Sequence, residues 1–298
     1  MKMQNIAPGL ILTGASLWGI LGIFVRELSR NGFTDLQTVM CRAFVVTLIL
    51  FLYLMIFDRQ KLKINIRDLW MFLGTGVLSI AFFNLCYFYS IHEMSLSAAC
   101  IFLYTAPGFV MILSAVLFKE KITGQKMISL LLAFTGCVFI SGMIGSGTRI
   151  SVIGIIVGLG SGFFYSLYSI FGKIASARYS SETVVFYTFL FAFLATMVFG
   201  NPIKTMEMTL GNGRIILYIL LLGIVSSFLP YFLYTAGLKY VEPGRASIMA
   251  TAEPLVATLC GIIIYHEEIT LYNGLGIGCI LMSVILLNVR KKTHYEFT

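Results

Sequence analysis

The chain has 298 residues, of which 58% are hydrophobic and only 11% are charged, and its formal net charge is +8. Ordinary soluble domains carry roughly 25% charged residues, so this composition excludes a soluble globular protein and indicates one that crosses a membrane several times. The basic residues lie in short loops between apolar segments, where they orient the chain in the membrane rather than bind nucleic acid. We therefore expect the lipid bilayer, and no nucleic acid, as a partner.

Ten apolar segments follow one another along the chain, each about the 20 residues that an α-helix needs to cross ~30 Å of hydrocarbon. Only helices fit, because a spanning segment must satisfy its own backbone hydrogen bonds, so we predict an all-α integral membrane protein. The first segment superficially resembles a signal peptide, but it lacks a small-residue cleavage site and is expected to be a retained helix. The predicted spans are 7–26, 36–57, 69–91, 95–118, 124–143, 152–173, 183–200, 215–238, 245–265 and 270–289.

The sequence also matches itself at a constant offset of 147 residues, without a gap. The offset places residues of the same kind on one another: Trp18 on Tyr165, Arg26 on Lys173, Gly76 on Gly223, Tyr87 on Tyr234, Pro107 on Pro254 and Glu120 on Glu267. We predict two five-helix repeats, residues 1–147 and 148–298, in one integrated transport domain. An odd number of spans inverts the second repeat in the membrane, a construction typical of secondary transporters.

The distribution of Lys and Arg predicts the orientation of the chain. With both termini in the cytoplasm, fifteen basic residues lie in cytoplasmic segments and five in outside segments, while Arg42 lies within a span. Cytoplasmic loops of membrane proteins are enriched in Lys and Arg. We therefore predict a multi-pass protein of the inner membrane with both termini in the cytoplasm.

Two ionisable residues, Arg42 and Glu253, lie within apolar spans, the second and the ninth. A charge at mid-membrane costs at least ~2.5–3.5 kcal/mol, so it normally faces a cavity or a partner. For Glu253 we favour a cavity function, including proton binding, over a structural ion pair or a helix-end hydrogen bond. For Arg42 a packing or inter-helix role is at least as well supported. The sequence leaves open whether the two residues pair.

Two prolines, Pro107 and Pro254, fall at mid-span in the fourth and ninth helices. Each removes a backbone donor and bends its helix, which frees a carbonyl group. A static kink that improves packing would explain them, but their matched placement in both halves favours a shared role in gating.

Aromatic and amide side chains at similar depths form a further group of candidate residues. A Tyr or Trp at mid-membrane needs a partner for its polar atom, which a solvated cavity supplies. Most such residues in membrane proteins simply pack or face lipid, so the matched pairs are the stronger candidates. The group consists of Trp18, Tyr165, Tyr87, Tyr234, Asn84, Tyr104, Tyr168 and Tyr231.

Nothing in the sequence indicates an enzyme. It contains no GxxxxGK[ST] loop for nucleotide phosphates and no HExxH zinc pair, and the three histidines lie at span ends or in the tail. The six cysteines all lie within spans and show no CxxC spacing, which disfavours disulfides and metal binding. We expect no cofactor and no metal.

Several short motifs resemble those of the drug/metabolite transporter superfamily, specifically its ten-helix EamA-like family. The resemblance covers roughly residues 7–290. It rests on GASLWG at 14–19, Arg42 followed by Ala43-Phe44, YTAP at 104–107 leading to Glu120, and TAEP at 251–254 leading to Glu267. The two proline-to-glutamate stretches, one in each half, are the most specific marks.

The resemblance implies a fold and a site. Members have two interlocked five-helix repeats, with the first, third, fourth, sixth, eighth and ninth helices around a central substrate cavity and the fifth and tenth at the periphery. Carried over, the lining would comprise Glu253, Trp18, Asn84, Tyr87, Tyr104, Tyr165, Tyr168, Tyr231 and Tyr234.

These features together predict a secondary transporter of a small metabolite, an amino acid or related amine, that works by alternating access and acts as an exporter. Glu253 would bind the amino group of a zwitterion, a cationic substrate or a coupling proton. Uptake, lipid or metabolite flipping, and a non-transporting sensor or assembly subunit are the alternatives. The sequence fits a monomer or a homodimer.

Overall fold

The computed structural model of the chain describes residues 2–144 and 151–289, which are mostly helical and contain no β-strand. The predicted all-α class is confirmed. The predicted boundary between the repeats at residue 147 lies outside the described residues. So do four residues of the charge count, Arg149, Arg290, Lys291 and Lys292.

All ten predicted segments are helical, and we number them in chain order. Eight are long and apolar enough to cross a membrane: the first to fourth spans, Met3–Arg30, Asp35–Phe57, Ile66–Glu93 and Leu96–Phe118; the sixth, Val152–Ser176; and the eighth to tenth, Gly213–Leu238, Pro243–Tyr265 and Leu271–Asn288. The fifth, Gly124–Ile140, has 17 residues. At 1.5 Å per residue it is about 25 Å long, shorter than a typical hydrocarbon core.

The seventh span departs from the prediction of one helix over 183–200. It consists of Ser181–Met197 followed, after a bend of 103°, by the short helix Pro202–Thr209. The bend lies at Asn201, which adopts a left-handed backbone conformation with φ +46° and accepts a hydrogen bond from the Lys204 amide at 3.2 Å. Asn with a following Pro at the first helical position is a strong signal for a new helix start.

The fourth and ninth spans are each interrupted near their middle. The fourth consists of Leu96–Leu103 and Ala106–Phe118, and the ninth of Pro243–Met249 and Ala252–Tyr265. Pro107 and Pro254 lie in the first turn of the second helix in each case. A proline leaves the carbonyl four residues before it without its helical partner, which explains why both interruptions lie within a turn before it.

Two stretches of π-helix, Gly74–Phe82 in the third span and Ile224–Phe228 in the eighth, overlap when the 147-residue offset is applied. They were not expected from the sequence. A Cβ at Gly76 would collide with the main chain at Thr188, and one at Gly223 would collide with Val45. The glycines therefore permit close contact with the seventh and second spans, where the helical winding changes.

Equivalent spans of the two halves pack against each other in antiparallel directions. In the second and seventh spans, Phe44 contacts Phe193 and Phe51 contacts Phe186, so residue numbers rise in one helix as they fall in the other. The fifth and tenth spans also run antiparallel, since Ser129 meets Ser283 and Gly136 meets Gly276. Antiparallel packing of mates is what inverted repeats require.

The fifth and tenth spans meet through small residues. Gly136 and Gly276 face each other so closely that a Cβ on either would lie within 2.8 Å of the other's carbonyl oxygen. Ser283 donates a hydrogen bond to the carbonyl of Ser129 at 2.7 Å. The offset of 147 places Ser129 on Gly276 and Gly136 on Ser283, so the Ser129–Ser283 and Gly136–Gly276 contacts map onto each other when the halves are exchanged.

Large apolar side chains cover the outer surface of the bundle. Phe57, Val116 and Ile263 are 72%, 72% and 69% exposed. In water such a surface would drive aggregation, whereas lipid solvates it. Together with the spans, this surface makes the chain a multi-pass membrane protein.

Candidate functional site

A cavity of about 500 Å³ reaches from one end of the bundle to the middle of the spans. Its mouth lies at Asp35 and Leu96, where the second and fourth spans begin, and its floor lies at Trp18, Tyr165 and Tyr231. The first, second, third, fourth, sixth, eighth and ninth spans all contribute to its wall. The predicted residues that line it are Trp18, Arg42, Asn84, Tyr87, Tyr104, Tyr165, Tyr231 and Glu253.

Glu253 lies at the second position of the helix Ala252–Tyr265, just after the interruption of the ninth span. A carboxylate near a helix N-terminus is stabilised by the unpaired amide groups there. The Tyr165 hydroxyl donates a long hydrogen bond of 3.3 Å to its Oε2 atom. Glu253 therefore presents a weakly bonded carboxyl group to the cavity.

Arg42 lines the same cavity but does not pair with Glu253. Its side chain is only 7% exposed, and it makes no hydrogen bond or ion pair within the described part of the chain. Its Nε atom is buried without a partner. In this conformation the two residues form no salt bridge, although they are near enough to interact electrostatically.

An aromatic layer of Trp18, Tyr165 and Tyr231 closes the floor of the cavity. The rings of Trp18 and Tyr231 meet edge to face at 5.0 Å, and the buried Trp18 Nε1 atom has no hydrogen-bond partner. The same three residues line a second cavity of about 20 Å³ on the far side, which holds no more than about one water molecule. The layer therefore separates the large cavity from the opposite end.

Tyr168 and Tyr234 lie beyond the aromatic layer and line the small cavity instead of the large one. The Tyr168 hydroxyl bonds to Thr235 at 2.6 Å, and the Tyr234 hydroxyl bonds to Ser169 at 2.7 Å. These reciprocal bonds tie the sixth span to the eighth. Pro107 also lines the small cavity, while Pro254 is buried directly after Glu253.

The remaining predicted residues lie in the upper wall of the large cavity. The Tyr87 hydroxyl lies 3.0 Å from the Cys100 Sγ atom. Asn84 donates from Nδ2 to the Ile80 carbonyl at 2.7 Å and so satisfies a main-chain oxygen of the π-helical stretch. Tyr104 occupies the break in the fourth span, between its two helices.

A cluster of charges closes the opposite end of the bundle, and the sequence analysis named its Glu120 but not its Lys126 or Glu242. Lys126 Nζ lies 2.6 Å from Glu120 Oε1 and 2.7 Å from Glu242 Oε2. Glu120 also accepts hydrogen bonds from the Gly244 amide, at 3.2 Å, and from the Ser114 hydroxyl. A depression of about 620 Å³ opens at this end, and its lining includes Glu120, Lys126 and Glu242. The cluster joins the fourth, fifth and ninth spans.

Lys173 strengthens this closed end from the sixth span. Its Nζ atom donates to three main-chain carbonyls at the end of the eighth span and just after it, at 2.6 Å for Leu238, 3.2 Å for Lys239 and 3.1 Å for Val241. The signal for these residues was present in the repeat, since Lys173 is the mate of Arg26 and Glu120 is the mate of Glu267. At the open end Arg26 lies 3.8 Å from Glu267 and 4.0 Å over the ring of Tyr265.

Loops at the closed end add further links between the halves. Arg178 lies 2.5 Å from Asp68, and Lys61 lies 3.2 Å from Glu182. The hydrogen bond that Lys61 donates to Glu182 raises the pKa of Lys61 and so favours its charged form. Both pairs are partly exposed and contribute little stability individually.

Comparison with known proteins gives the same match twice along the chain. The model of the EamA-like transporter family matches residues 5–142 and again residues 152–289. The chain is 29% identical to an uncharacterized transporter of Helicobacter pylori, with 93% of each chain covered. It is 26% identical to one of Clostridium kluyveri, covering 95% of this chain and 94% of that one. A third such protein, from Archaeoglobus fulgidus, is 28% identical over 77% of this chain and 81% of its own length.

A solved crystal structure shares the fold. It superposes with a TM-score of 0.77 over 95% of this chain and 96% of the other, at 16% sequence identity. At that identity the likeness concerns the arrangement of the helices alone.

Proposed function

Since the chain belongs to the EamA-like transporter family, it is a membrane transporter, and we propose that it is a secondary transporter that moves a small metabolite by alternating access. One observation carries the proposal. A cavity with charged and aromatic walls reaches mid-bundle from one end, while the aromatic layer and the Lys126 cluster close the other end. A site that opens to one side at a time is the requirement of alternating access.

The distribution of basic residues supports an orientation for this conformation. The closed end carries Lys61, Lys126 and Lys173, whereas the mouth of the cavity lies beside Asp35. Positively charged loops face the cytoplasm. The closed end is thus the cytoplasmic one, both termini are cytoplasmic, and the cavity faces outward.

The two predicted repeats supply a route to the inward-facing conformation. Exchange of their roles would bring Arg26 to the main-chain carbonyls that end the third span, as Lys173 now binds those at the end of the eighth and just after it. Glu267 would correspondingly take the place of Glu120. The interruptions before Pro107 and Pro254 lie between the ends that open and close, where bending alters few main-chain hydrogen bonds.

An amino acid or related amine is the proposed substrate, and export the proposed direction. Glu253 is the acidic group at the depth of the substrate, so it supports binding of an ammonium group or a coupling proton. The surrounding tyrosine rings, Tyr87, Tyr104, Tyr165 and Tyr231, offer apolar faces and hydroxyl groups to the rest of the molecule. A non-transporting subunit would not need such a cavity.

A flux assay tests the proposal. Purified protein in liposomes would be given a panel of radiolabelled amino acids and amines, with protein-free liposomes as the control. We expect protein-dependent flux of at least one compound and its loss when Glu253 is replaced by Gln. Absence of flux across the whole panel in both directions, from protein shown to be folded, would contradict it.

A further inference from the structure

The depression at the closed end of the bundle carries an excess of positive charge. Five basic and two acidic side chains line it, namely Lys119, Lys121, Lys126, Lys173, Arg245, Glu120 and Glu242. Lys126 lies between the two carboxylates, at 2.6 Å and 2.7 Å, so these three groups nearly balance one another. Lys173 is bound to main-chain carbonyls, which carry no formal charge. The depression as a whole is therefore cationic and attracts anions.

Three of the cations in this depression, Lys119, Lys121 and Arg245, have no counterion. They form no ion pair within the part of the chain that the structure describes. Both lysines are exposed, and Arg245 donates one hydrogen bond, from Nη2 to Asn288 Oδ1 at 3.1 Å. Charge-assisted hydrogen bonds from such groups are the usual means by which proteins hold a phosphate.

The same positions at the open end are not basic. The offset of 147 places His266 on Lys119, Glu268 on Lys121 and Ala98 on Arg245. The glutamate of the charge cluster and Lys173 have mates of the same charge, Glu267 and Arg26, and so belong to the pattern shared by the halves. The three unpaired cations do not. Their charge therefore serves a purpose confined to this side of the membrane.

Apolar surface adjoins the depression. Phe118 and Leu287 line the depression itself. Leu117 and Ile122, neighbours in sequence of the lining residues Phe118 and Lys121, are exposed and belong to the lipid-facing surface. A phospholipid could place its phosphate among the cations while its acyl chains stay on this surface. A soluble phosphate would make no use of the apolar surface, which favours a lipid as the ligand.

We propose that this depression binds the phosphate group of an anionic phospholipid through Lys119, Lys121 and Arg245. Anionic lipids are abundant in the cytoplasmic leaflet, and basic pockets between spans on that side bind their headgroups. The closed end faces that leaflet in the orientation proposed above. The three residues lie in the loop after the fourth span and at the start of the ninth, so a bound lipid would link the spans that the Lys126 cluster also joins.

Thermal melting of the purified full-length protein in detergent detects a bound lipid, because a ligand of the folded state raises the melting temperature. Dioleoylphosphatidylglycerol would be added in increasing amounts to protein freed of its own lipid. Dioleoylphosphatidylcholine has the same acyl chains without net charge, and inorganic phosphate has the charge without the chains. At constant ionic strength we expect phosphatidylglycerol to stabilise the protein at a lower content than phosphatidylcholine, and inorganic phosphate to have no effect.

Paired variants locate the site. Each basic residue near an anionic lipid contributes about five-fold to affinity, so Lys119→Gln combined with Lys121→Gln should raise the phosphatidylglycerol content needed for half of the shift about 25-fold. Lys63→Gln combined with Arg67→Gln is the matched control. It removes the same charge from exposed residues of another loop at the closed end, outside the depression, and should leave that content unchanged. Arg245→Gln should raise it about five-fold, and Arg245→Lys, which keeps the charge, by less.

Three outcomes would overturn the inference. An equal effect of the two double variants would mean that lipid is attracted to the whole charged face rather than held in the depression. Equal stabilisation by phosphatidylglycerol and phosphatidylcholine would exclude recognition of the charge. Stabilisation by inorganic phosphate as large as that by phosphatidylglycerol would assign the depression to a soluble anion. None of these outcomes bears on transport, which is tested by flux in liposomes.

Discussion

Arg26 and Lys173 occupy the same position in the two halves of the chain but make different contacts. Lys173 binds three main-chain carbonyls at the closed end, whereas Arg26 lies over the ring of Tyr265 at the open end. Under the proposed alternating access, this asymmetry reflects the conformational state, and each of the two residues would make the other's contacts once the cavity opened to the opposite side. Replacement of Lys173 therefore tests whether its contacts hold this end closed.

Lys173→Gln is expected to open the closed end. Loss of charge-assisted bonds worth about 1.5–3 kcal/mol would shift the equilibrium about 10- to 100-fold toward the inward-facing conformation. The readout is the reaction of Ser247→Cys, beside the small cavity, with a membrane-impermeant maleimide added from the cytoplasmic side, in a background without other cysteines. The control Arg26→Gln should not increase this reaction. Equal labelling of Ser247→Cys alone, with Lys173→Gln and with Arg26→Gln would show that Lys173 does not hold this end closed.

Lys126→Met is expected to destabilise the folded protein by about 3 kcal/mol. The substitution leaves Glu120, whose side chain is 4% exposed, as a buried unpaired carboxylate, and breaking a buried pair in this way costs several kcal/mol. Thermal melting of the purified protein measures the effect. Lys121→Met, which alters an exposed neighbour, is the control, and Glu120→Gln combined with Lys126→Met should recover part of the loss. A melting temperature equal to that of the control would show that the cluster contributes no stability.

Glu253→Gln is expected to abolish transport or uncouple it from protons while leaving the folded state intact. The amide keeps the shape of the side chain but can neither carry a charge nor release a proton. Flux in liposomes across a range of pH, together with the melting temperature, separates the two effects. Glu268→Gln, in the exposed loop after the ninth span, is the matched control. Unaltered rates and unaltered pH dependence in Glu253→Gln would exclude Glu253 from the mechanism.

Gly136→Ala and Gly278→Ala should have opposite effects on stability. A Cβ at Gly136 would lie 2.7 Å from Ile280 and 2.8 Å from the Gly276 carbonyl, whereas one at Gly278 meets nothing within 4 Å. Overpacking typically costs about 1–3 kcal/mol, while Ala in place of Gly in an open helical position gains up to about 1 kcal/mol. Thermal melting of the two variants in parallel tests the contact. Similar shifts in both would mean that the fifth and tenth spans do not pack this closely.

Much of the fold follows from the sequence because the bilayer imposes strong rules. Apolar length and backbone satisfaction predict helices, and all ten predicted segments are helical. The bend at Asn201 and the π-helical stretches escaped prediction since they depend on local capping and on contacts of Gly76 and Gly223 with distant spans. The mean hydropathy of a segment contains no information on such local changes of the helix.

The candidate site was predictable to a similar degree. Polar groups at membrane depth must face something other than lipid, and eight of the predicted residues lie around one cavity. Their role in binding stays a prediction. Depth alone could not place Tyr168 and Tyr234 beyond the aromatic layer, because that placement depends on how the sixth and eighth spans meet. The closing cluster at Lys126 depends on the conformational state, which no sequence pattern specifies.

The small-residue seam between the fifth and tenth spans has a mechanical consequence. The Ser129–Ser283 and Gly136–Gly276 contacts exchange places when the halves are exchanged, and all four residues are small, so the close approach of the two spans is possible in both arrangements. In the proposed reorientation the two spans would stay packed together, and the balance between the two orientations would depend on the charged ends and on the occupant of the cavity.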